Sequence, residues 1–189
     1  MKPALSPAAS RSRVRTPVTQ GPKPFALKLK GEFVPGGILA ADVGPAHCGW
    51  ALITLALRPR VLALGECGAS PADLDELLRL AAPAHLAVEV VRGYAYEQAR
   101  TAALFETSHV AGLLEGIAYA RGLPALCIPA ATWRNTITGT PSPSDAQVAD
   151  AVPRFVDGIA KRTNAHERDA LGLALVAGWH LLKAPRRAA

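Results

Sequence analysis

The 189-residue chain predicts an α/β fold, a mixed five-stranded sheet with helices on both faces. Three observations lead there. Five short apolar runs, bounded by glycine, proline or turn residues, have the length of buried strands. The first three follow one another closely, as in a strand–hairpin–strand opening. The last two alternate with stretches whose apolar residues recur at helical spacing. The order βββαβαβαα implies a mixed sheet covered by helices.

The first strand is "GGILAADVG", from about Gly37 to Val43. "GWALITLAL" reads as the second and "RVLALGEC", after an "RPR" turn, as the third. "SPADLDELLRLAA" starts a helix: Ser70 caps it, Pro71 suits its first position and Asp73 falls at the capping-box position. "HLAVEVV" is the fourth strand. Residues 93–101 read as a loop or the lead-in to the long helix "ALFETSHVAGLLEGIAYARG", which ends at Gly122. "LPALCIP" is the fifth strand, from about Leu123 to Ile128, and "ATWRNTITG" holds a short helical turn. "GTPSPS" is turn-rich. "SDAQVADAVPRFVDGIAK" is a helix with a kink or break at Pro153. "NAHERDALGLALVAG" is the last helix and reads as burying one side.

Composition bounds the rest. Apolar residues make up 50% of the chain and aromatics only 5%, so the core relies on Ala, Leu and Val. The formal charge of +6 is unevenly spread: residues 1–30 carry seven Lys or Arg and no acid, and 183–189 carry three more. Residues 31–182 hold 11 basic and 15 acidic residues. A slightly acidic domain at 36–182 is therefore expected between a basic, flexible arm at 1–35 and a basic tail at 183–189. Such an arm suits phosphate binding or mere solubility. No signal peptide and no membrane-length apolar run is read. The arm could also serve as an organellar transit segment. The three cysteines, Cys48, Cys67 and Cys127, are spaced apart and odd in number, which reads as buried free thiols in a reducing compartment.

Four residues suggest chemistry. Asp42 ends the first strand, where it either caps the strand through an Asx turn or faces a site, because sheet ends collect binding groups. Glu89 is a lone charge in an apolar strand. It lies on the exposed face of an edge strand, or it needs a partner or a cation. Asn164 and Glu167 have capping-box spacing, which accounts for Glu167. His166 and Asp169, three apart on one helix face, have no such local role. Three carboxylates and an imidazole suit Mg²⁺ or Mn²⁺. Two such ions some 4 Å apart serve phosphodiester cleavage.

With these residues in view, the chain resembles the RuvC-type Holliday-junction resolvases of the RNase H-like, or retroviral-integrase-like, superfamily. The resemblance rests on "ILAADVGPAHCGWALI", "AVEVV", "HVAGLLEGIAYARG" and "HERDALGLALVAG", and runs from about Gly36 to Leu182. It implies an RNase H-like fold and a metal-dependent, structure-selective endonuclease of DNA recombination and repair. Asp42, Glu89, His166 and Asp169 would be its catalytic and metal-binding residues, holding two Mg²⁺ or Mn²⁺ ions, with His166 as ligand or tuning group. It further implies a homodimer that nicks four-way DNA symmetrically and leaves 5′-phosphate and 3′-hydroxyl ends. A branch-migration helicase is the further partner it suggests, and a nucleoid-associated cytoplasmic location for a bacterial or phage host.

The small residues Gly112, Gly116 and Ala120 make the long helix a candidate subunit contact, or an ordinary sheet-packing helix. Arg134 is the best phosphate binder of the core domain, joined by Arg92, Arg100, Lys28 and Lys30 as candidate DNA contacts. Tyr94 and Tyr96 could stack on bases or pack on a helix. The sequence departs from the family pattern in two places. Asp145 stands where a lysine is common, and the aromatic usual just after the strand-four glutamate is shifted to Tyr94 and Tyr96. Rival readings are an RNase H-like nuclease of flaps or RNA, and a non-catalytic junction-binding dimer.

Overall fold

The structure, a computed structural model, describes the backbone of residues 28–90, 98–160 and 162–183, with side chains from 30 to 90, 102 to 160 and 162 to 183. Its strands are β1 (Lys28–Gly31), β2 (Ile38–Val43), β3 (His47–Ile53), β4 (Val61–Gly68), β5 (His85–Val90) and β6 (Ala125–Pro129). Its α-helices are α1 (Pro71–Ala81), α2 (Gln98–Ala120), α3 (Ala130–Thr138), α4 (Asp145–Ala151) and α5 (Ala165–Lys183). The strands form one sheet in the order β1-β4-β3-β2-β5-β6. β1 to β4 pair antiparallel where they meet, while β2, β5 and β6 run parallel.

The five expected strands are present, and a sixth joins them. β1 lies inside the stretch read as a flexible arm, with Lys28 opposite Glu66 and Lys30 opposite Leu64. Four residues of alternating lysine carry little strand signal of their own. Pairing with β4, far along the chain, supplies it.

The pleat sorts side chains onto two faces. Leu39, Ala41, Trp50, Leu52, Leu86 and Val88 point to the layer of α1 and α2. Ile38, Ala40, Ala51, Ile53 and Ala87 point to α5 and, beyond it, to α3 and α4. Each fully buried Leu or Ile among them contributes roughly 1.5–3 kcal/mol. α1 begins as expected, with the Ser70 side chain accepting from the Asp73 N–H. α4 opens on a reciprocal Ser144–Gln147 capping box. It ends at Ala151 in a 3₁₀ turn over Val152–Arg154, because Pro153 cannot continue the backbone ladder.

Two expectations about helices change. "ATWRNTITG" is no brief turn but nine-residue α3, closed by Gly139. α5 does not bury one side only: every residue from Ala170 to Gly178 is buried. The sheet takes one side of the helix, and α3 and α4 cover the other. Gly172 permits this, since a β-carbon there would stand 2.5 Å from the Trp133 ring.

The thiols also differ from expectation. Cys48 and Cys67 are buried and free, directly opposite each other on β3 and β4, but Cys127 is exposed and donates to Glu115 at 2.8 Å. Among the described residues no helix is long and apolar enough to cross a membrane.

Candidate active site

Parity along the strands builds the site. On β2, Asp42 continues the face of Ile38 and Ala40. On β5, Glu89 continues the face of Ala87. The two strands are parallel, and Ala41 pairs with Val88, so both carboxylates emerge at the same end of the sheet, one residue further on. Each is the penultimate residue of its strand. The first turn of α5 lies over this end and brings His166 and Asp169 to it.

α5 comes this close because residue 49 is glycine. Gly49 sits opposite Asp42 in the β2–β3 ladder. A β-carbon on it would lie 2.5 Å from the His166 β-carbon and 2.7 and 2.8 Å from the carbonyl carbon and oxygen of His166. The α5 backbone therefore rests on bare β3 backbone. Nothing in the sequence around Gly49 signals this, because the contact joins segments more than a hundred residues apart.

Each acidic group has a neighbour. Asp42 Oδ2 lies 2.8 Å from His166 Nδ1, so that oxygen goes to the imidazole rather than to a local Asx turn. Trp133 Nε1 donates to Glu89 Oε2 at 2.8 Å. β5 is an interior strand, flanked by β2 and β6, which removes the edge-strand alternative for Glu89. Arg134 donates to Asp169 Oδ2 at 3.1 Å and also pairs with Asp145. Trp133 and Arg134, adjacent on α3, thus serve two of the three carboxylates.

Burial and crowding show in the acidities. Burial first, then repulsion from Asp42, pushes Glu89 from its ordinary 4.5 up to about 7. Burial raises Asp169 to about 6, against the pull of Arg134 and with Asp42 and Asp145 adding to the rise. Burial also raises Asp42, offset in part by the hydrogen bond from His166, while that bond raises His166. Three carboxylates that repel one another in a partly buried place make a donor set suited to a hard divalent cation. Among the described residues no three His, Cys, Asp or Glu side chains are grouped as a metal ion would require, and Asp42, Glu89 and Asp169 have His166, Trp133 and Arg134 as their partners.

These shifts carry a stability prediction. Glu89 and Asp169 keep protons in the folded chain at pH values where the unfolded chain has released them. Their stabilising contribution is complete below their ordinary values and is lost as pH rises through about 6 to 7. In EDTA, thermal melts should therefore fall from about pH 5 to about pH 7.5. Glu89→Gln retains an acceptor for Trp133. It should stabilise the metal-free protein by about 1–3 kcal/mol at the upper pH, with the gap closing at the lower.

Lys30, read from the sequence as a candidate DNA contact, makes an ion pair within the fold. Its ammonium donates to both oxygens of Glu167, at 2.8 and 2.7 Å, and to the Arg162 carbonyl at 2.8 Å. A phosphate contact would strip Glu167, 2% exposed, of its counter-charge. Asn164 and Glu167 form the expected capping box, with bonds of 3.0 and 2.9 Å. Arg92, Tyr94 and Tyr96 lie outside the described residues, as do the side chains of Lys28 and Arg100.

No protein-family model and no curated protein sequence matches the chain. Solved structures do. Thermus thermophilus RuvC in complex with a Holliday junction substrate superposes with a TM-score of 0.60 at 22% identity, over 76% of this chain and 95% of that one. A second structure of Thermus thermophilus RuvC gives 0.60 and 21%, over 76% and 96%. The yeast mitochondrial Holliday junction resolvase Ydc2 gives 0.49 and 10%, over 78% and 80%. The chain has the RNase H-like α/β fold of RuvC, with six strands in its sheet.

Proposed function

We propose that this chain is a RuvC-type endonuclease, dependent on a divalent metal, that acts on four-way DNA junctions as a homodimer. Its products would carry 5′-phosphate and 3′-hydroxyl ends. The observation that carries the proposal is the gathering of Asp42, Glu89, Asp169 and His166 at one end of a RuvC-like sheet. Support for the substrate comes from the similar fold whose structure holds a Holliday junction.

Asp42, Glu89 and Asp169, with His166 at the rim, would hold Mg²⁺ or Mn²⁺. Ions bound there supply water activation and charge neutralisation at a scissile phosphodiester. The chain's own residues do the rest. Trp133 holds the Glu89 carboxylate in one orientation from below. The His166 ring, 63% exposed, is accessible at the rim while its Nδ1 orients Asp42. Arg134, once released from Asp169, presents a planar pair of donors to a phosphate oxygen.

The outer face of α2 supports the dimer. A β-carbon at Gly112 or Gly116 would meet nothing within 4 Å, so neither glycine serves packing on the sheet. Phe105 and Tyr119 are 71% and 87% exposed on the same helix. Two-fold symmetry in the enzyme matches paired strands in the substrate. Cleavage of four-way junctions, flaps, duplex and RNA by one preparation with Mg²⁺ or Mn²⁺ tests the proposal. Junctions should be cut preferentially. Equal or better cutting of flaps or RNA would move the chain to another activity of the same fold, and junction binding without any cutting would make it a structural dimer.

A further inference from the structure

The first turn of α5 carries two of the four proposed site residues, and it is fastened from outside the site. Glu167 lies between His166 and Asp169 in sequence yet turns away from them and is buried. Its carboxylate takes the Lys30 ammonium on both oxygens, while Oε2 also accepts the Asn164 N–H at 3.0 Å. Lys30 stands on β1, the edge strand, 137 residues away in the chain. Its third bond, to the Arg162 carbonyl, fixes the segment that leads into the helix. The turn is thus held by its cap, by the β3 backbone under His166, and by an ion pair to the sheet edge.

We infer that Lys30 and Glu167 are positioning residues of the active site, a latch that sets the first turn of α5 and so the placement of His166 and Asp169. This rests on the proposal that those two residues act in the site. Neither latch residue touches the reacting groups. Removing the ammonium leaves a buried carboxylate without its counter-charge, which is more disruptive than removing both charges together. The edge strand is therefore required by the active site, although it contributes no ligand. Supporting groups of this kind govern metal affinity about 10–100-fold.

The test uses the full chain with Lys30→Met, the double variant Lys30→Met with Glu167→Gln, and Leu77→Ala as a control that weakens the opposite layer. Lys30→Gln, a milder change, is measured beside them. Hydrogen exchange is read at the amides of Asn164, Glu167 and Arg168, all bonded within this turn. Binding of Mn²⁺ alone is read from the paramagnetic resonance signal of the free ion. Lys30→Met should speed exchange at those three amides and weaken Mn²⁺ binding, each about tenfold, with Lys30→Gln showing the same pattern at smaller size. The double variant keeps an acceptor for the Asn164 N–H and should recover most of both losses. Leu77→Ala should change neither, whatever its melting temperature. Unchanged exchange in folded Lys30→Met, or the same losses in Leu77→Ala, would overturn the latch. Absence of saturable Mn²⁺ binding in the parent would instead sink the metal site, with the exchange data still deciding the latch.

Discussion

Asp42→Asn is expected to lower junction cleavage by on the order of 10³-fold or more while leaving junction binding nearly unchanged. The substitution keeps size and shape and removes one negative charge from the most central of the three carboxylates. Asp42 influences both Glu89 and Asp169 electrostatically and meets His166 directly. An amide oxygen remains to meet the imidazole, so the first turn of α5 keeps its seat. It no longer supplies the charge that a hard cation requires from its ligands. Because burial already disfavours the Asp42 charge, the variant should fold at least as well as the parent in EDTA. A gel-shift titration beside a cleavage time course separates the two effects. Cleavage near the parental rate would remove Asp42 from the chemistry.

Gly49→Ala is expected to cost roughly 1–3 kcal/mol of stability and to slow cleavage by about 10²-fold. The added methyl would overlap the His166 carbonyl carbon and oxygen, not the flexible end of a side chain. Relief requires the start of α5 to lift from β3. That movement carries His166 and Asp169 away from Asp42 and Glu89 together. Junction affinity should change little, so the loss belongs in the turnover rate rather than in KM. Thermal melts and single-turnover kinetics check the two parts. Stability reduced with turnover intact would mean that the site tolerates a displaced helix.

Much of this architecture is visible in the sequence because it is local or periodic. The alternation of Ile38, Ala40 and Asp42, and of Ala87 and Glu89, is a property of strands read two residues at a time. The Ser70 cap and the Asn164–Glu167 box are four-residue patterns with a known mechanism. What the sequence hides is contact between distant segments. β1 is too short and too charged to declare itself, and only its register with β4 makes it a strand. Lys30 looks like one more cation of a basic arm until Glu167 is placed beside it. Gly49 and Gly172 read as ordinary glycines until α5 and Trp133 are laid against them. The burial of α5 all round follows from α3, whose nine residues pass in sequence for a turn.

The pairing of Arg134 with both Asp169 and Asp145 has the same origin. In sequence Arg134 is a phosphate binder and Asp145 a departure from a family habit of lysine at that place. In the fold the two are partners, and the arginine stands at the mouth of the acidic cluster.

The most direct test is to map nicks on a four-way junction with each strand end-labelled in turn, in Mg²⁺ or Mn²⁺, with Asp42→Asn beside the parent. Symmetrically placed nicks on one opposing pair of strands, with 5′-phosphate ends and dependent on both the metal and Asp42, are the predicted result. Junctions bound but left intact, or cut equally by Asp42→Asn, would contradict it.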